Sequence, residues 1–179
     1  LSGTAEVPVM GYFSGETVEL DEDGTKKILA FSPCYRREAG SHGKDTKGLI
    51  RVHEFFKLEQ LILTEANDEA SEKWHQWLNK NTEEFIESLG IPYQTVDACT
   101  GDMGQGKVRM YDINLWVPKE NTYREISSAS YYNDFQTRRF KIKYKDKDGN
   151  KKFAHSLNCT AAATPRILVS LIENFQTEK

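Results

Sequence analysis

The chain has 179 residues, which is enough for one domain with a sizeable buried core. Its formal net charge of −3 excludes a domain that holds nucleic acid through bulk positive charge alone. The three cysteines lie far apart and form no Cys-x-x-Cys pair, and the four histidines form no His-x-x-x-His pair, which disfavours a structural zinc site.

The compartment follows from what the composition lacks. Three separated cysteines are typical of reduced thiols in the cytoplasm. We find no secretory signal pattern and no apolar run that approaches membrane-spanning length. The chain begins at Leu1 and enters motif-like sequence directly, so we interpret it as an excerpt of a longer protein. We expect a cytoplasmic protein that does not associate with a membrane.

The first elements are two strands and a helix. Apolar runs at residues 28–35 and 55–63 predict strands, and a long, polar, basic loop joins them. Apolar residues at helical spacing predict a helix over 69–89, and Gly90 and Pro92 end it. This helix is best interpreted as one that covers a sheet.

Three more extended segments follow. Residues 93–99 and 108–117 predict strands on either side of a glycine-rich turn, and 122–130 predict another. The turn lacks the Gly-Lys-Ser/Thr of a Walker A loop, so its glycines indicate only a turn.

The last third combines a hairpin, a strand and a helix. Residues 141–152 are rich in lysine and predict a solvated hairpin tip, and 153–157 predict a strand. A closing helix follows, with Pro165 in its first turn and one apolar face. Strands and helices without a regular βαβ rhythm predict an α+β fold with a mostly antiparallel sheet flanked by helices.

Polar residues converge where the first two strands would pair. Side chains alternate across a strand, so Arg36 and Glu38 share a face, and so do Phe55, Lys57 and Glu59. A face with a cation, a flat ring and carboxylates suits a nucleotide bound beside a small zwitterion. The commoner explanation of an isolated Arg-x-Glu is a surface ion pair, and the residues alone leave it open.

Two side chains of the second strand carry alternatives of their own. Phe55 and Phe56 must face opposite sides, so one ring can fill the core while the other offers a face to a planar base. Paired phenylalanines more often pack into two covered faces. Glu59 lies in an otherwise apolar strand, and a buried carboxylate needs a partner or a ligand.

Glu125 and Arg166 are the remaining candidates. An ion pair with Arg124 is the simple explanation of Glu125, and a carboxylate among nucleotide phosphates would serve to hold Mg²⁺. Arg166 lies in the first turn of the last helix, where the helix dipole disfavours a cation. An anionic ligand would remove this mismatch, and guanidinium groups match phosphate oxygens.

Several segments, in order along the whole chain, are similar to those of one enzyme family. TAEVP at residues 4–8 and PCYRREAGS at 33–41 resemble a serine-binding segment and the start of class motif 2. Residues 44–59 resemble the rest of that motif. Further similar segments are 101–104, 121–128, 134–139 and, as class motif 3, 157–160 with 166–176. On these motifs the chain resembles the catalytic core of seryl-tRNA synthetases, which are class II aminoacyl-tRNA synthetases.

The resemblance implies a role for each matching residue on the ATP side. Arg36 would contact the α-phosphate and the serine carboxylate, and Arg166 would contact the γ-phosphate, so both are expected catalytic residues. Glu38 and Phe55 would hold adenine, Phe55 by stacking. Glu125 would bind Mg²⁺ together with the phosphates, and Ser128 beside it would be a weaker ligand.

The serine pocket is implied in the same way. Its expected lining is Thr4, Glu6, Arg36, Glu59, Asn158 and Thr160, with Glu59 contacting the hydroxyl. The sequence departs from the family pattern at Tyr35, Asn114 and residues 159–165, and Cys159 and Pro165 could change the shape of the pocket.

The implied function is that of a serine–tRNA ligase. Residues 1–179 would be a partial catalytic domain with motifs 2 and 3, which activates serine with ATP and Mg²⁺ and transfers it to tRNA(Ser) in a full-length homodimer. The chain lacks the family's coiled-coil arm and motif 1, so we expect it to be weakly active or inactive alone. Two alternatives stay open, namely a paralogue that only binds nucleotide and amino acid, and seryl transfer to an acceptor other than tRNA.

Overall fold

The computed structural model describes residues 1–39 and 48–178. It contains four helices and nine strands within these residues, and a short 3₁₀ turn separates β5 from β6. In chain order they are α1 Glu6–Tyr12, β1 Thr17–Val18, β2 Thr25–Tyr35, β3 Glu54–Thr64, α2 Asp68–Ser88, β4 Tyr93–Asp97, β5 Arg109–Val117, β6 Thr122–Tyr131, α3 Phe135–Phe140, β7 Lys143–Lys145, β8 Lys151–Phe153, β9 His155–Ala163 and α4 Thr164–Phe175.

A six-stranded sheet forms the centre of the molecule. Its strand order is β2-β3-β9-β6-β5-β4, and every neighbouring pair is antiparallel. The β2–β3 pair is the longest, running from Thr25 opposite Thr64 to Tyr35 opposite Glu54. The predicted α+β fold with an antiparallel sheet flanked by helices is therefore confirmed.

Helix α2 covers one face of this sheet. Its Trp74 and Leu78 pack with Ile62 of β3 and Leu157 of β9. The Asn67 side chain caps the helix by accepting a hydrogen bond from the backbone of Ala70 at 3.0 Å. The predicted helix thus forms where its apolar spacing placed it.

The opposite face of the sheet carries a second layer at one end only. There, α1 and the small sheet β1-β7-β8 cover odd-numbered residues of β3, because Leu61 and Leu63 cluster with Met10 and Tyr144. The rest of that face, toward Glu59, stays open. Strand alternation therefore separates a packed face from one that can hold a ligand.

Three features differ from the expectations. Strand β9 continues to Ala163, six residues beyond the predicted end, and α4 begins at Thr164. Helices α1 and α3 and strand β1 were not predicted, because they are short and lack a full apolar period. Phe56 does not fill the core, since 45 % of it is exposed and its ring stacks on Phe31 at 5.3 Å.

Within residues 1–39 and 48–178, no helix is both long and apolar enough to span a bilayer.

Candidate active site

A cleft of about 220 Å³ lies on the face of the large sheet that points away from α2. Strand alternation produces this placement, because the Gln60 amide contacts α2 while the neighbouring Glu59 faces the cleft. The structure brings together all eleven residues that the sequence singled out: Thr4, Glu6, Arg36, Glu38, Phe55, Glu59, Glu125, Ser128, Asn158, Thr160 and Arg166.

Arg36 and Phe55 form a flat, cationic shelf at the end of the β2–β3 ribbon. The guanidinium carbon of Arg36 lies 5.2 Å from the centroid of the Phe55 ring. Arg36 Nε donates to the carbonyl oxygen of Gly3 at 3.2 Å. The backbone N–H of Arg36 donates to the carbonyl oxygen of His53 at 2.9 Å. Because a guanidinium combines a planar face with several donors, this shelf suits a phosphate bound next to an aromatic base.

Glu38 lies beyond the end of β2 in an unusual backbone conformation. Its φ is 53°, and its carboxylate accepts a hydrogen bond from Arg51 Nη1 at 2.6 Å. This ion pair joins the two ends of the loop between β2 and β3 at the rim of the cleft. Arg51 belongs to the basic loop that the sequence predicts between these strands, and the loop residues Lys44 and Lys47 lie outside the described residues.

Arg166 enters the cleft from the first turn of α4. Its Nη1 donates to the carbonyl oxygen of Glu125 at 2.5 Å and lies 3.9 Å from the Glu125 carboxylate. Burial lowers the pKa of Arg166, and the neighbouring cations Arg51 and Arg36 add to this effect. The Glu125 carboxylate opposes this shift, and a half-buried cation at a helix N-terminus suits an anionic ligand.

Glu125 and Ser128 offer oxygen atoms at the opposite side of the cleft. Arg124, the partner considered in the sequence, pairs with Glu120 at 2.5 Å, whereas Glu125 faces Arg166. Partial burial in the cleft raises the pKa of Glu125, and the negative charge of the nearby Asp112 carboxylate raises it further. A partly buried carboxylate whose charge is further disfavoured by a second carboxylate suits a divalent cation.

An observation on unpaired oxygens tests whether Mg²⁺ fits these residues. Ser128 and Asp112 are directly opposite in the β5–β6 pairing, and their buried Oγ and Oδ1 atoms form no hydrogen bond of ordinary geometry, although the Ser128 hydroxyl is near enough to oppose the rise that burial causes in the pKa of the Asp112 carboxyl. Carboxylate and hydroxyl oxygens are hard ligands of the kind that Mg²⁺ prefers. The donor set around Glu125 therefore fits this cation.

Glu59 is the most deeply buried charge in the cleft, with 1 % of the residue exposed. It accepts hydrogen bonds from Asn158 Nδ2 at 3.4 Å and Thr160 Oγ1 at 3.3 Å, and Lys57 Nζ lies 2.6 Å from its Oε2. Burial raises the pKa of Glu59, and Lys57 opposes this shift. The group is thus a solvent-shielded acceptor held by three donors.

Glu6 reaches the same pocket from α1 and is held by α3. Gln136 of α3 donates to Glu6 through Nε2 and accepts from Ser156 Oγ at 2.7 Å through Oε1. Burial and the nearby Glu6 carboxylate raise the pKa of Tyr132, so its hydroxyl keeps its proton. Helix α3, which the sequence pattern does not reveal, therefore positions a carboxylate of the site.

Unpaired polar atoms concentrate in the cleft. Nine buried side-chain N and O atoms of the described residues lack a hydrogen-bond partner. Four of them belong to cleft-lining residues, namely Thr4 Oγ1, Arg51 Nε, Ser128 Oγ and Asn158 Oδ1. Because buried polar groups normally find partners, this concentration indicates a site that a polar ligand completes.

Sequence reasoning left out several residues that line the cleft. Lys57, Lys107, Ser130 and Tyr132 belong to it. Side-chain alternation along β3 places Lys57 on the same face as Phe55 and Glu59, so the sequence pattern alone could have identified Lys57 as a cleft residue. Tyr132 follows the end of β6, and only the fold shows that it turns toward Glu6.

The departures from the family pattern affect the cleft unequally. Cys159 points away from it, toward Thr82 of α2 at 3.4 Å, and burial raises the pKa of its thiol to about 11. Pro165 lines the cleft. Asn114 lies opposite Glu125 in the β5–β6 pairing, next to a register shift between Ile113 and Asn114.

Comparison with known proteins agrees with this geometry. Residues 1–175 match the family described as tRNA synthetase class II core domain (G, H, P, S and T). The serine–tRNA ligase of Deinococcus radiodurans is 50% identical over 176 residues, which are 98% of this chain and 41% of that protein. That of Bdellovibrio bacteriovorus is 44% identical over 175 residues, 98% of this chain and 40% of the other.

Solved structures show the same similarity. Seryl-tRNA synthetase from Pyrococcus horikoshii, complexed with ATP, superimposes with a TM-score of 0.91 and 42% identity, covering 99% of this chain and 39% of the other. Cytoplasmic serine–tRNA ligase from Naegleria fowleri, in complex with AMP, gives a TM-score of 0.91 and 37% identity, covering 99% and 41%. The chain thus spans about 40% of the length of the curated relatives it matches.

Proposed function

Because this chain belongs to the class II tRNA synthetase core family, we propose that residues 1–179 are part of the catalytic domain of a serine–tRNA ligase, with motifs 2 and 3. The observation that carries the proposal is one cleft that joins two arginines, Arg36 and Arg166, to a buried carboxylate, Glu59. Such a cleft suits a nucleoside triphosphate bound beside a small hydroxylated amino acid.

The proposed first step forms seryl-adenylate. A carboxylate oxygen of serine attacks the α-phosphorus of ATP, the bond to the β-phosphate breaks, and pyrophosphate leaves. Arg36 neutralises charge between the serine carboxylate and the α-phosphate, and Arg166 holds the γ-phosphate. Glu38 and Phe55 hold the adenine, Phe55 by stacking of its half-buried ring. No general base is needed, because positioning and charge stabilisation lower the barrier.

Glu125 and Ser128 are the proposed ligands of Mg²⁺, with Ser128 the weaker. When bound, Mg²⁺ would supply positive charge that screens the phosphates from each other and from the carboxylates. Arg166 donates to the Glu125 backbone, so the γ-phosphate site and the cation site are built on a common support. This arrangement explains why a carboxylate lies in a cleft that is otherwise suited to anions.

The serine pocket consists of Thr4, Glu6, Arg36, Glu59, Asn158 and Thr160. The unpaired oxygens of Thr4 and Asn158 and the carboxylate of Glu6 would accept from the serine ammonium group. Glu59 would accept from the serine hydroxyl, while Thr160 holds Glu59 in place. A pocket built around a hydroxyl rejects alanine strongly, because buried polar groups would be left unpaired.

In the second step the seryl group passes to a hydroxyl of the terminal ribose of tRNA(Ser), and AMP leaves. We assign this step to the whole protein, together with a homodimeric assembly and a cytoplasmic location. An apolar stripe formed by Leu29, Phe31 and Phe56 supports an assembly, since these residues are 63 %, 65 % and 45 % exposed. The stripe lies on β2 and β3, on the opposite side from Phe55.

Exchange of labelled pyrophosphate into ATP tests the proposal on the full-length protein. With a panel of twenty amino acids, we expect exchange to depend on serine. Arg36→Ala should lower kcat/KM by about 100-fold or more, whereas Arg138→Ala, which removes a surface guanidinium paired with Asp134, should leave it nearly unchanged. ATP binding without serine-dependent exchange would indicate a binding paralogue, and exchange without tRNA charging would indicate another acceptor.

A further inference from the structure

A buried ion pair lies inside the proposed serine pocket, and its lysine has no role in the chemistry described so far. Lys57 and Glu59 project from the same face of β3, and their Nζ and Oε2 atoms are 2.6 Å apart. Only 9 % of the Lys57 side chain and 1 % of the Glu59 side chain are exposed. A pair that is so well shielded from water is not a surface salt bridge, so its charges act on each other strongly.

Donors occupy most, but not all, of the Glu59 carboxylate. Lys57 and Thr160 both contact Oε2, and Asn158 contacts Oε1 at 3.4 Å. An ionised carboxylate accepts about four hydrogen bonds, so three donors leave room for one more. The remaining acceptor site is therefore on Oε1. Because Glu59 lines the cleft, the hydroxyl of a ligand can reach this atom.

The groups around Glu59 make its charge depend on Lys57. Burial and Glu6 of α1 favour the neutral carboxylic acid. Tyr132 lies on the Glu59 side of the sheet and Cys159 on the α2 side, and burial raises the pKa of both, so neither contributes a charge. Thr160 offers one neutral hydrogen bond. Lys57 is thus the cation that opposes protonation of Glu59.

The protonation state decides what the carboxyl can recognise. An ionised carboxylate only accepts, so it pairs with the donating hydroxyl of serine. A neutral carboxylic acid carries a proton of its own, which can satisfy one of the neighbouring oxygens, such as Asn158 Oδ1. With a neutral Glu59, bound alanine leaves fewer polar groups unpaired than it does with an ionised Glu59. The preference of the pocket for serine over alanine is then weaker.

We propose that Lys57 is a positioning residue that holds Glu59 as an acceptor-only carboxylate and thereby sets the preference for serine over alanine. The inference rests on the proposed function, because it concerns the amino-acid pocket of that reaction. Lys57 acts through Glu59 and takes no part in the bond-breaking steps.

The test uses pyrophosphate exchange by the full-length protein with Lys57→Met, Lys57→Arg and Lys152→Met. Lys57→Met should raise the KM for serine about 10–100-fold, change the KM for ATP less than about 3-fold, and lower the serine-to-alanine ratio of kcat/KM about tenfold. Lys57→Arg should restore most of the preference because it keeps the cation. Lys152→Met removes the lysine of another ion pair, with Asp146 on the hairpin, and should match the wild type.

The pH profile separates this role from a merely structural one. Between about pH 6 and 8, the serine KM should fall more steeply with rising pH in Lys57→Met than in the wild type, because burial already raises the pKa of Glu59 and loss of the cation raises it further. In a Glu59→Gln background, Lys57→Met should change the KM less than about 3-fold, since no carboxyl remains to be held.

Each result decides the matter. A wild type without serine-dependent exchange would refute the proposed function itself. A wild type that exchanges, with Lys57→Met unchanged in serine KM, alanine ratio and pH profile, would refute the role of Lys57 alone. If Lys57→Met does not fold, the wild-type profile remains decisive, because a serine KM that falls steeply from pH 6 to 8 would show Glu59 titrating despite Lys57.

Discussion

The conformation of one residue, Gly106, gives a first prediction. Gly106 lies in the turn before β5 with a φ of +85°. A Cβ at this position would come 2.3 Å from the ring of Phe135, the first residue of α3. We therefore predict that Gly106→Ala destabilises the chain by about 2–5 kcal/mol, from backbone strain together with overpacking. Chemical denaturation of the two chains measures the difference.

Gly149→Ala is the matched control for this substitution. Gly149 has nearly the same φ, +83°, but no atom lies within 4 Å of its added Cβ. Gly149→Ala should lower the free energy of unfolding only through backbone strain, by about 1–2 kcal/mol. Equal losses at the two glycines would contradict the claim that Phe135 covers Gly106.

His75 gives a prediction on pH. Its ring is buried against Tyr111, with centroids 4.5 Å apart, and Nε2 donates to the carbonyl oxygen of Ala129 at 2.9 Å, while Nδ1 has no partner. Burial lowers the pKa of His75 below its ordinary 6.5. Below about pH 6.5 the unfolded chain binds more protons than the folded one, so stability is lost as pH falls.

The measurement is the free energy of unfolding of the wild type and of His75→Gln at pH 7.5 and 5.5. The loss on acidification should be smaller in His75→Gln, although this variant is less stable at both pH values. An identical loss in the two proteins would show that His75 is not held neutral.

Residues differed in how far the sequence could reveal them. Arg36, Glu59 and Glu125 stood out because a charge at the end of a strand or within an apolar run needs an explanation. Lys57 lies on the expected face, but its burial beside β9, which is remote in sequence, is not predictable from the pattern of β3. Tyr132 was missed because aromatic residues after strands usually pack in the core.

Helix α2 supplies a prediction at the scale of elements. Asn67 caps it with an extended backbone and a side chain that accepts from Ala70 N–H. Asn67→Ala should destabilise the chain by about 0.5–2 kcal/mol because this donor loses its partner. Asn67→Asp keeps an acceptor at the cap and should remain within about 0.5 kcal/mol of the wild type. A loss as large for aspartate as for alanine would contradict capping by the side chain.

Elements were predictable where their pattern was long. Helix α2 and the paired strands β2 and β3 are among the longest elements, and each contains an apolar pattern of eight residues or more, so their existence followed from sequence. The predicted strand at 153–157 ends six residues before β9 does, because the second half of β9, with Asn158 and Thr160, is polar where it faces the cleft. Helix α1 has seven residues, including Pro8 and Gly11, and its helical form depends on packing rather than propensity.

The whole molecule assigns different tasks to the two faces of one sheet. One face packs on α2, and the other holds the cleft. The exposed apolar stripe on β2 and β3, formed by Leu29, Phe31 and Phe56, lies beside α2 rather than beneath it. Burying such a stripe against further protein would stabilise the two strands that carry Arg36 and Phe55.

This leads to a prediction for the chain alone. Residues 1–179 span about 40% of the length of the curated relatives. We expect serine-dependent exchange by this chain to be at least about 100-fold slower than that of the full-length protein, because the strands that carry the site are incompletely covered. Exchange assays on both lengths, under the same conditions, make the comparison. Equal rates would show that the described residues support the site without further protein.

The most direct test is a crystal structure of the full-length protein with 5′-O-[N-(L-seryl)sulfamoyl]adenosine, a stable analogue of seryl-adenylate. We predict that its adenine stacks on Phe55, its sulfamoyl group lies beside Arg36, and its seryl hydroxyl is about 3 Å from Glu59. An analogue bound outside this cleft, or with its seryl group remote from Glu59, would contradict the account.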